Sequence, residues 1–499
     1  MNYIGISCGF HDAALSVIDD KGNILFAGHS ERYSKNKHDS HLCLPLITDA
    51  KSYMDSDDYQ VHYYERPWVK YLRQLRSGES RSLRNLSAKN VIGSSTVKHQ
   101  LDNKTIHTHN HHLSHAAAGF QTSPYDDATV VVIDAIGEFD TISIYNAWYD
   151  KNGKAQYKKL WGQHYPHSIG LFYSAMTHRV GLRPLDEEYI LMGMAAYGKS
   201  NLKKELKEMS DTLIKSYKDI TFKHNLHIGV PDNFLEGSDD MDIANSAQLI
   251  TEQLITSVIS KARSLGGSKN LVYGGGVALN CLANRLLGNL YDNIWIMPNP
   301  GDAGSSLGAA CFGYGKRVNW INAYIGHDIS GDYPTNHLLD VLLTDKIVGV
   351  ASGRAEFGPR ALGNRSLLAD PRGDTIKDTV NEIKRRQKFR PFAPIILEEL
   401  VDNYFDMPNG FDNSRYMQCI ARSRHPDLFP AIIHADGTSR VQTVPKDGSG
   451  IRGLLEKWYV LTGCPMLLNT SLNIRGEPMV NDRLDADRFE KLYNVKVIS

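Results

Sequence analysis

The chain has 499 residues, more than one hydrophobic core ordinarily organises, so two domains are expected and three are allowed. Its formal net charge is zero with 22% charged residues, which excludes a global electrostatic pull toward nucleic acid or membrane and leaves any such attraction to local patches. No apolar run reaches the ~20 residues that span a bilayer, the first residues lack a signal-peptide layout, and the six cysteines are scattered without a Cys-x-x-Cys pair. A reduced, cytoplasmic setting is therefore expected, with no membrane partner.

Tyr3 to Ser7 and Ala13 to Ile18 read as two strands joined by Cys8-Gly9-Phe10-His11-Asp12. Asp20-Lys21-Gly22-Asn23 is a hairpin turn, and Ile24 to Gly28 form the next strand. His11 stands out in the first turn, since histidine is the usual general base near neutral pH; a solvated turn histidine is the competing reading. Glu31 to His38 reads as a charged, solvated loop. Arg66 to Lys104 holds nine lysines and arginines against Glu79 and Asp102 alone, a local surplus of seven positive charges. Such a stretch is either a footprint for a phosphate-bearing partner or a basic surface helix balanced by acids elsewhere.

Asn110 to Gly119 follows a helical pattern, with His111 and His115 on one face. That is the spacing at which two imidazoles can bind one metal ion. In a chain with 20 histidines the pair by itself is more often structural. Ala128 to Asp134 is a nearly all-apolar, β-branched strand that should be buried, delivering Asp134 to its end. A turn over Ala135 to Glu138 and a returning strand over Thr141 to Ala147 repeat the opening hairpin, as two related halves would. Helical patterns cover Leu171 to Val180 and Ser246 to Leu265.

Leu271 to Asn280 is a strand entering a helix through three glycines, where backbone N–H groups could approach a phosphate or ribose. The Gly-x-Gly-x-x-Gly spacing is absent, and a tight packing turn reads equally well. Asp302 lies in a Gly-flanked loop before a helix over Ser305 to Phe312, either as its cap or facing a cleft. The pattern breaks from Ile329 to Asn336, dividing the chain into 1–330 and 337–499. A strand over Lys346 to Ser352 then runs into Gly353 to Ser366, followed by Arg372, Lys384, Arg385, Arg386, Lys388 and Arg390. Clustered arginines with glycines suit bidentate grips on phosphate or carboxylate oxygens, so the second half reads as an anion-binding domain. Asp436 to Gln442 and Leu468 to Pro478 each add a polar loop with an arginine.

Together these pieces resemble the ATP-dependent O-carbamoyltransferases, which modify antibiotics, nodulation sugars and, in phages, hydroxymethylated DNA bases. The resemblance spans nearly the whole chain. Its most specific parts are Glu356 to Ser366, Asp370-Pro371-Arg372, Arg390 to Pro394 and Leu468 to Pro478. His11-Asp12-Ala13, Glu31-Arg32, His111 to Ala116, Glu188-Tyr189 and Met192-Gly193 support it. It implies an α/β protein whose residues 1–330 form an actin-like (ASKHA) domain of duplicated halves, akin to tRNA threonylcarbamoyl-transfer enzymes. Residues 337–499 would form a YrdC-like α/β domain. There carbamoyl phosphate and ATP would give carbamoyl adenylate with release of pyrophosphate; the N-terminal domain would pass the carbamoyl group to an acceptor hydroxyl, displacing AMP.

Carried over by position, the resemblance implies a metal site of His111, His115, Asp134 and Asp302. It would hold Fe(II) or another divalent first-row metal, since this donor set does not select iron; Mg(II) would accompany ATP. His11 would be the base for the acceptor hydroxyl. Gly137, Gly275, Gly276 and Asn280 would bind nucleotide. Arg360, Arg365, Lys388, Arg390, Arg440, Asn469, Ser471, Asn473 and Arg475 would bind carbamoyl phosphate and ATP, with Lys388, Arg440 and Arg475 also catalytic. His11, His38, Arg73 and Arg76 would meet the acceptor. Ala135 stands where a glycine is common and Leu472 where Phe is usual, but neither change removes a polar group the chemistry needs. The basic stretch points to a phosphate-bearing acceptor such as hydroxymethylcytosine in DNA. A small hydroxylated metabolite is the alternative and tRNA threonylcarbamoyladenosine synthesis a more distant one. A homodimer is compatible with all of these readings.

Overall fold

A computed structural model describes residues 1–78, 86–199 and 203–499. Two five-stranded sheets of the same plan form the N-terminal two-thirds. In the first, Asn2–Ser7 lies at the centre, antiparallel to Ala14–Ile18, which is antiparallel to Ile24–His29. On its other side it runs parallel to Tyr59–Tyr63, and that strand parallel to Ile106–Thr108. In the second sheet Asp127–Gly137 takes the centre, with Asp140–Tyr149 and Ala155–His164 antiparallel on one side. Asn270–Gly274 and Asn293–Trp295 run parallel on the other. Order, direction and hairpin position coincide, so the sheet is an actin-like unit built twice.

Val130 to Ile133 are fully buried on both faces of the second sheet. Helices His111–Thr122, Ile169–Arg179 and Asp240–Leu265 pack against this strand, which is why the run carries no polar alternation. The expected turn over Ala135 to Glu138 is shorter than the sequence suggests. The strand continues to Gly137, and its register slips between Ile133 and Gly137.

The C-terminal part is a six-stranded mixed sheet in the order Gln442–Val444, Ala393–Leu397, Met466–Ser471, Arg365–Ala369, Ile347–Ala351, Val497–Ile498. Its core includes the fully buried Trp458, from helix Gly450–Thr462. Tyr324–Ile329 pairs antiparallel with Gly353–Glu356, so a strand pair straddles the break in the sequence pattern.

Glu31 to His38 departs from the expected solvated loop. Glu31–Ser34 forms a helical turn, and Arg32 is buried, donating to the carbonyls of Glu356 at 2.6 Å and Gly358 at 2.8 Å. Three basic residues of the stretch Arg66 to Lys104 are engaged by neighbours. Arg66 grips the buried Glu138, Lys70 donates to Glu65 at 2.9 Å, and Lys104 lies over the Tyr59 ring. Glu79, Arg81 and Arg84 fall outside the described residues. Among the described residues, no helix is long and apolar enough to cross a membrane.

Candidate active site

The side chain of Asn110 accepts from the N–H of Leu113 at 3.0 Å and starts the helix at His111, so His111 and His115 face the same way one turn apart. Asp134 reaches them from the end of the central strand and Asp302 from the loop before helix Ser305–Tyr314. His111 Nε2 lies 3.1 Å from Asp134 Oδ2 and 3.3 Å from Asp302 Oδ1. His115 Nε2 lies 3.7 Å and 3.2 Å from the same two oxygens and 3.1 Å from His111 Nε2. The structure thus brings together four residues expected to ligate a metal, their donor atoms all within 4.8 Å of one another.

The donor set fits a divalent first-row ion. Separations near 3 Å are those of neighbouring ligands around one ion with bonds of about 2.1 Å. His115 donates Nδ1–H to Pro300 O at 3.0 Å, which leaves Nε2 as its lone-pair nitrogen. Behind His111, the Glu65 carboxylate stands 3.6 Å from Nδ1. Electrostatics agree with a cation hole. Burial opposes charge on His111, yet Asp302, Asp134 and Glu65 raise its pKa well above the ordinary value. Burial likewise works against the Asp134 carboxylate, and the two histidines still hold its pKa well below the usual range.

His11 borders the same cavity, of about 460 Å³, as Asp134 and Asp302. It donates Nδ1–H to Asp12 Oδ2 at 2.9 Å. His38, expected at the acceptor, also lines this cavity. Arg73 and Arg76 do not. Arg73 is buried on helix Pro67–Arg76 against the Tyr165 ring, while Arg76 points outward.

The expected nucleotide residues have mixed fates. Gly275 adopts a φ of +87° and donates to Pro300 O, a turn that a side chain would strain. Gly276 donates its N–H to Asp134 Oδ1 at 3.2 Å and lines the cavity, as does Asn280, whose amide is paired with Gln248. Gly137 is elsewhere: a Cβ there would come within 2.4 Å of the His111 ring, so its place is behind the histidine helix and not on the cavity.

A cationic wall closes the other end of the cavity. Arg360, Arg390, Arg440 and Arg475 line it with Asn469, Ser471 and Asn473. Burial first, and then Arg440, push the Arg360 guanidinium down to about 9. Arg390 lies over the Tyr189 ring and Arg475 pairs with Glu187. Two expected members are not at the wall. Arg365 is fully buried in the sheet, its nitrogens donating to the carbonyls of Asn481, Ser352, Gly353, Asn364 and His327 at 2.9 to 3.0 Å. Each of its three nitrogens is engaged by backbone carbonyls, so it holds the fold. Lys388 is exposed and pairs with Glu382.

Lys384 lies at the wall together with Arg386; both belong to the basic run read as anion-binding, but neither was singled out from it as a ligand. Lys384 donates to Asn473 Oδ1 at 2.7 Å and Ser471 Oγ at 3.1 Å. Burial, Arg386 and Arg390 push its ammonium well below the usual lysine range. The only signal for it was the Lys384-Arg385-Arg386 run itself.

The chain matches the family description "carbamoyltransferase N-terminus" over residues 2–311 and "carbamoyltransferase C-terminus" over residues 339–498. The chain belongs to the carbamoyltransferase family. It is a transferase acting on carbamoyl groups. Among its relatives, the uncharacterized protein sll1178 of Synechocystis sp. is 32% identical, covering 97% of this chain and 93% of its own. The nodulation protein NolNO of Sinorhizobium fredii is 30% identical over 95% and 76% of the two chains. The nodulation protein NolO of Bradyrhizobium diazoefficiens is 33% identical over 76% and 75%.

Proposed function

We propose that this carbamoyltransferase joins carbamoyl phosphate and ATP into carbamoyl adenylate at the cationic wall. The carbamoyl group then moves to an acceptor hydroxyl beside His11. The observation that carries this reading is one continuous cavity lined by Asp134 and Asp302 of the histidine–aspartate cluster, by His11 and by the cationic wall. Arg360, Arg386, Arg390, Arg440 and Arg475 would neutralise the phosphates and, with Lys384, orient the α-phosphate of ATP. Water would first release phosphate from carbamoyl phosphate, leaving carbamate; a carbamate oxygen would then bond to the α-phosphorus of ATP as the bond to pyrophosphate breaks, and Mg(II) would accompany the nucleotide. His111, His115, Asp134 and Asp302 would hold a divalent first-row ion; when bound it supplies Lewis-acid polarisation to the reacting group. His11, its Nδ1–H engaged by Asp12, would accept the acceptor's proton.

The test follows pyrophosphate release and carbamoylated acceptor separately. His11→Asn should keep ATP- and carbamoyl-phosphate-dependent pyrophosphate release and lose transfer by about 10²-fold or more. Carbamoylated product formed without ATP would overturn the adenylate route.

For the acceptor, the cavity favours a small hydroxylated molecule. None of the described basic residues between Arg66 and Lys104 lines the cavity, and Arg66 and Lys70 are already paired. The second reading, a hydroxymethylated base in DNA, rests on the local positive surplus of that stretch. Salt separates the two, because phosphate contacts release counterions. Acceptor KM for a small molecule should change little between low and physiological salt. A steep rise in KM for an oligonucleotide acceptor would reverse the preference.

A further inference from the structure

Asp12 joins two histidines of the cavity wall. Its Oδ2 accepts Nδ1–H of His11 at 2.9 Å, and its Oδ1 accepts Nδ1–H of His38 at 2.7 Å. His38 donates its other N–H, from Nε2, to Asp186 Oδ1 at 2.8 Å. All four side chains line the cavity. With a carboxylate oxygen facing each ring nitrogen, His38 must carry both protons and is an imidazolium. Burial opposes that charge, but Asp12 and Asp186 raise its pKa to about 10.

The chain is held at a backbone cost. Asp12 and His38 adopt φ values of +51° and +56°, a left-handed conformation that costs non-glycine residues about 1 kcal/mol or more each. Neighbours lock it in place. Glu31 accepts the backbone N–H of His38 at 2.9 Å, and Asp186 is gripped by Arg183 at 2.8 Å and Lys37 at 3.2 Å.

We propose that Asp12 is the positioning residue for His11, and that His38, clamped between Asp12 and Asp186, is a fixed cation that limits the charge Asp12 exerts on His11. This rests on reading His11 as the base for the acceptor hydroxyl. With Nδ1–H given to Asp12, the lone pair of His11 lies on Nε2. As the acceptor oxygen bonds to the carbamoyl carbon, its proton moves to Nε2. The bond from that carbon to the AMP phosphate oxygen breaks, and AMP leaves with the electron pair. The imidazolium so formed faces Asp12 and returns its proton to water after the product departs.

Other charges face His11 as well. Asp302 and Asp134 lie across the cavity. Phe10, tilted against His11 with ring centres 4.8 Å apart, is itself covered by Lys70 from helix Pro67–Arg76. Glu31 faces His38, and His29 is in turn faced by Arg32, Asp12 and His38. Apart from Asp12 and His38, these groups are common to every variant compared, so a difference between variants reads Asp12 and His38 alone.

The experiment measures kcat and KM for transfer against pH, at fixed metal loading, for the wild type, Asp12→Asn and His38→Gln. Asp12→Asn should lower kcat by about 10²-fold with little change in KM, the scale of a positioned base. It should also move the acid limb of the profile to lower pH, because an anion beside His11 is gone. His38→Gln removes a cation and should move that limb the opposite way, to higher pH. A limb that stays in place, or moves in the same direction in both variants, overturns the proposal. Thermal melts report folding; should Asp12→Asn not fold, the direction of the His38→Gln shift decides alone. Full transfer activity in His11→Asn would instead remove the base reading itself, whatever Asp12→Asn does.

Discussion

Lys384 and Lys388 are four residues apart, which on a continuing helix would put them side by side. The helix Ile376–Ile383 stops just before them, and Arg385 takes a left-handed φ of +51°. The chain therefore swings Lys384 into the cavity and Lys388 into solvent. Lys384→Ala should depress pyrophosphate release by about 10²-fold or more, as expected when a positioned cation on a reacting phosphate is lost. Lys388→Ala should stay within about twofold, because an exposed ion pair contributes ~0–1 kcal/mol. Assaying both variants side by side checks the assignment. The sequence shows five basic residues among the seven from Lys384 to Arg390. Charge pattern cannot rank them, because their directions depend on one backbone turn. Arg365 makes the same point from the other side. Its motif was legible, but its carbonyl partners come from four separate segments, as far away as Asn481.

Whole elements were easier to read. The opening hairpins, the apolar central strand and the histidine helix all follow from period and turn chemistry. The pairing of His111 with His115, and Asp134 at a strand end, were legible for that reason. Asp302 came in only through the family resemblance, its residues alone allowing either a helix cap or a cleft position, and Glu65 was not read at all, since both depend on how distant segments close over the helix. Gly137 was misread for a related cause: its value lies in the missing Cβ. Gly137→Ala would press a methyl group to 2.4 Å from the His111 ring and 2.6 Å from that of His112. The helix or the strand must shift, turning His111 off its donor set. Metal content after purification, measured by elemental analysis, should fall about tenfold or more, the scale on which misoriented ligands lose metal. Unchanged metal content in Gly137→Ala would show that the helix yields without turning its ligands.

Across the whole molecule, arginines fasten the N-terminal sheets to the C-terminal one. Arg32 holds the carbonyls of Glu356 and Gly358, and Arg354 reaches back to the carbonyls of Leu25 and Ile325. Asn284 donates to Gln418 O. Separating residues 1–330 from 337–499 would strand a buried guanidinium without acceptors, a loss of about 3–5 kcal/mol for a broken buried charge contact. It would also remove the partner of strand Tyr324–Ile329. The two pieces expressed apart should each melt well below the full chain, and mixing them should restore little pyrophosphate release; differential scanning fluorimetry and the release assay test this.

The doubled sheet also has a use beyond stability. The same loop, at the same corner of the same five-stranded plan, occurs twice: once it bears His11 and Asp12, and once the strand leading into it bears Asp134. Both corners open on one cavity. A single architectural template, printed in two copies, thus brings a histidine–aspartate pair from one print and the strand-end Asp134 from the other to the same cavity. Their spacing is then a matter of how the copies dock, so either tool can be re-cut without redrawing its opposite.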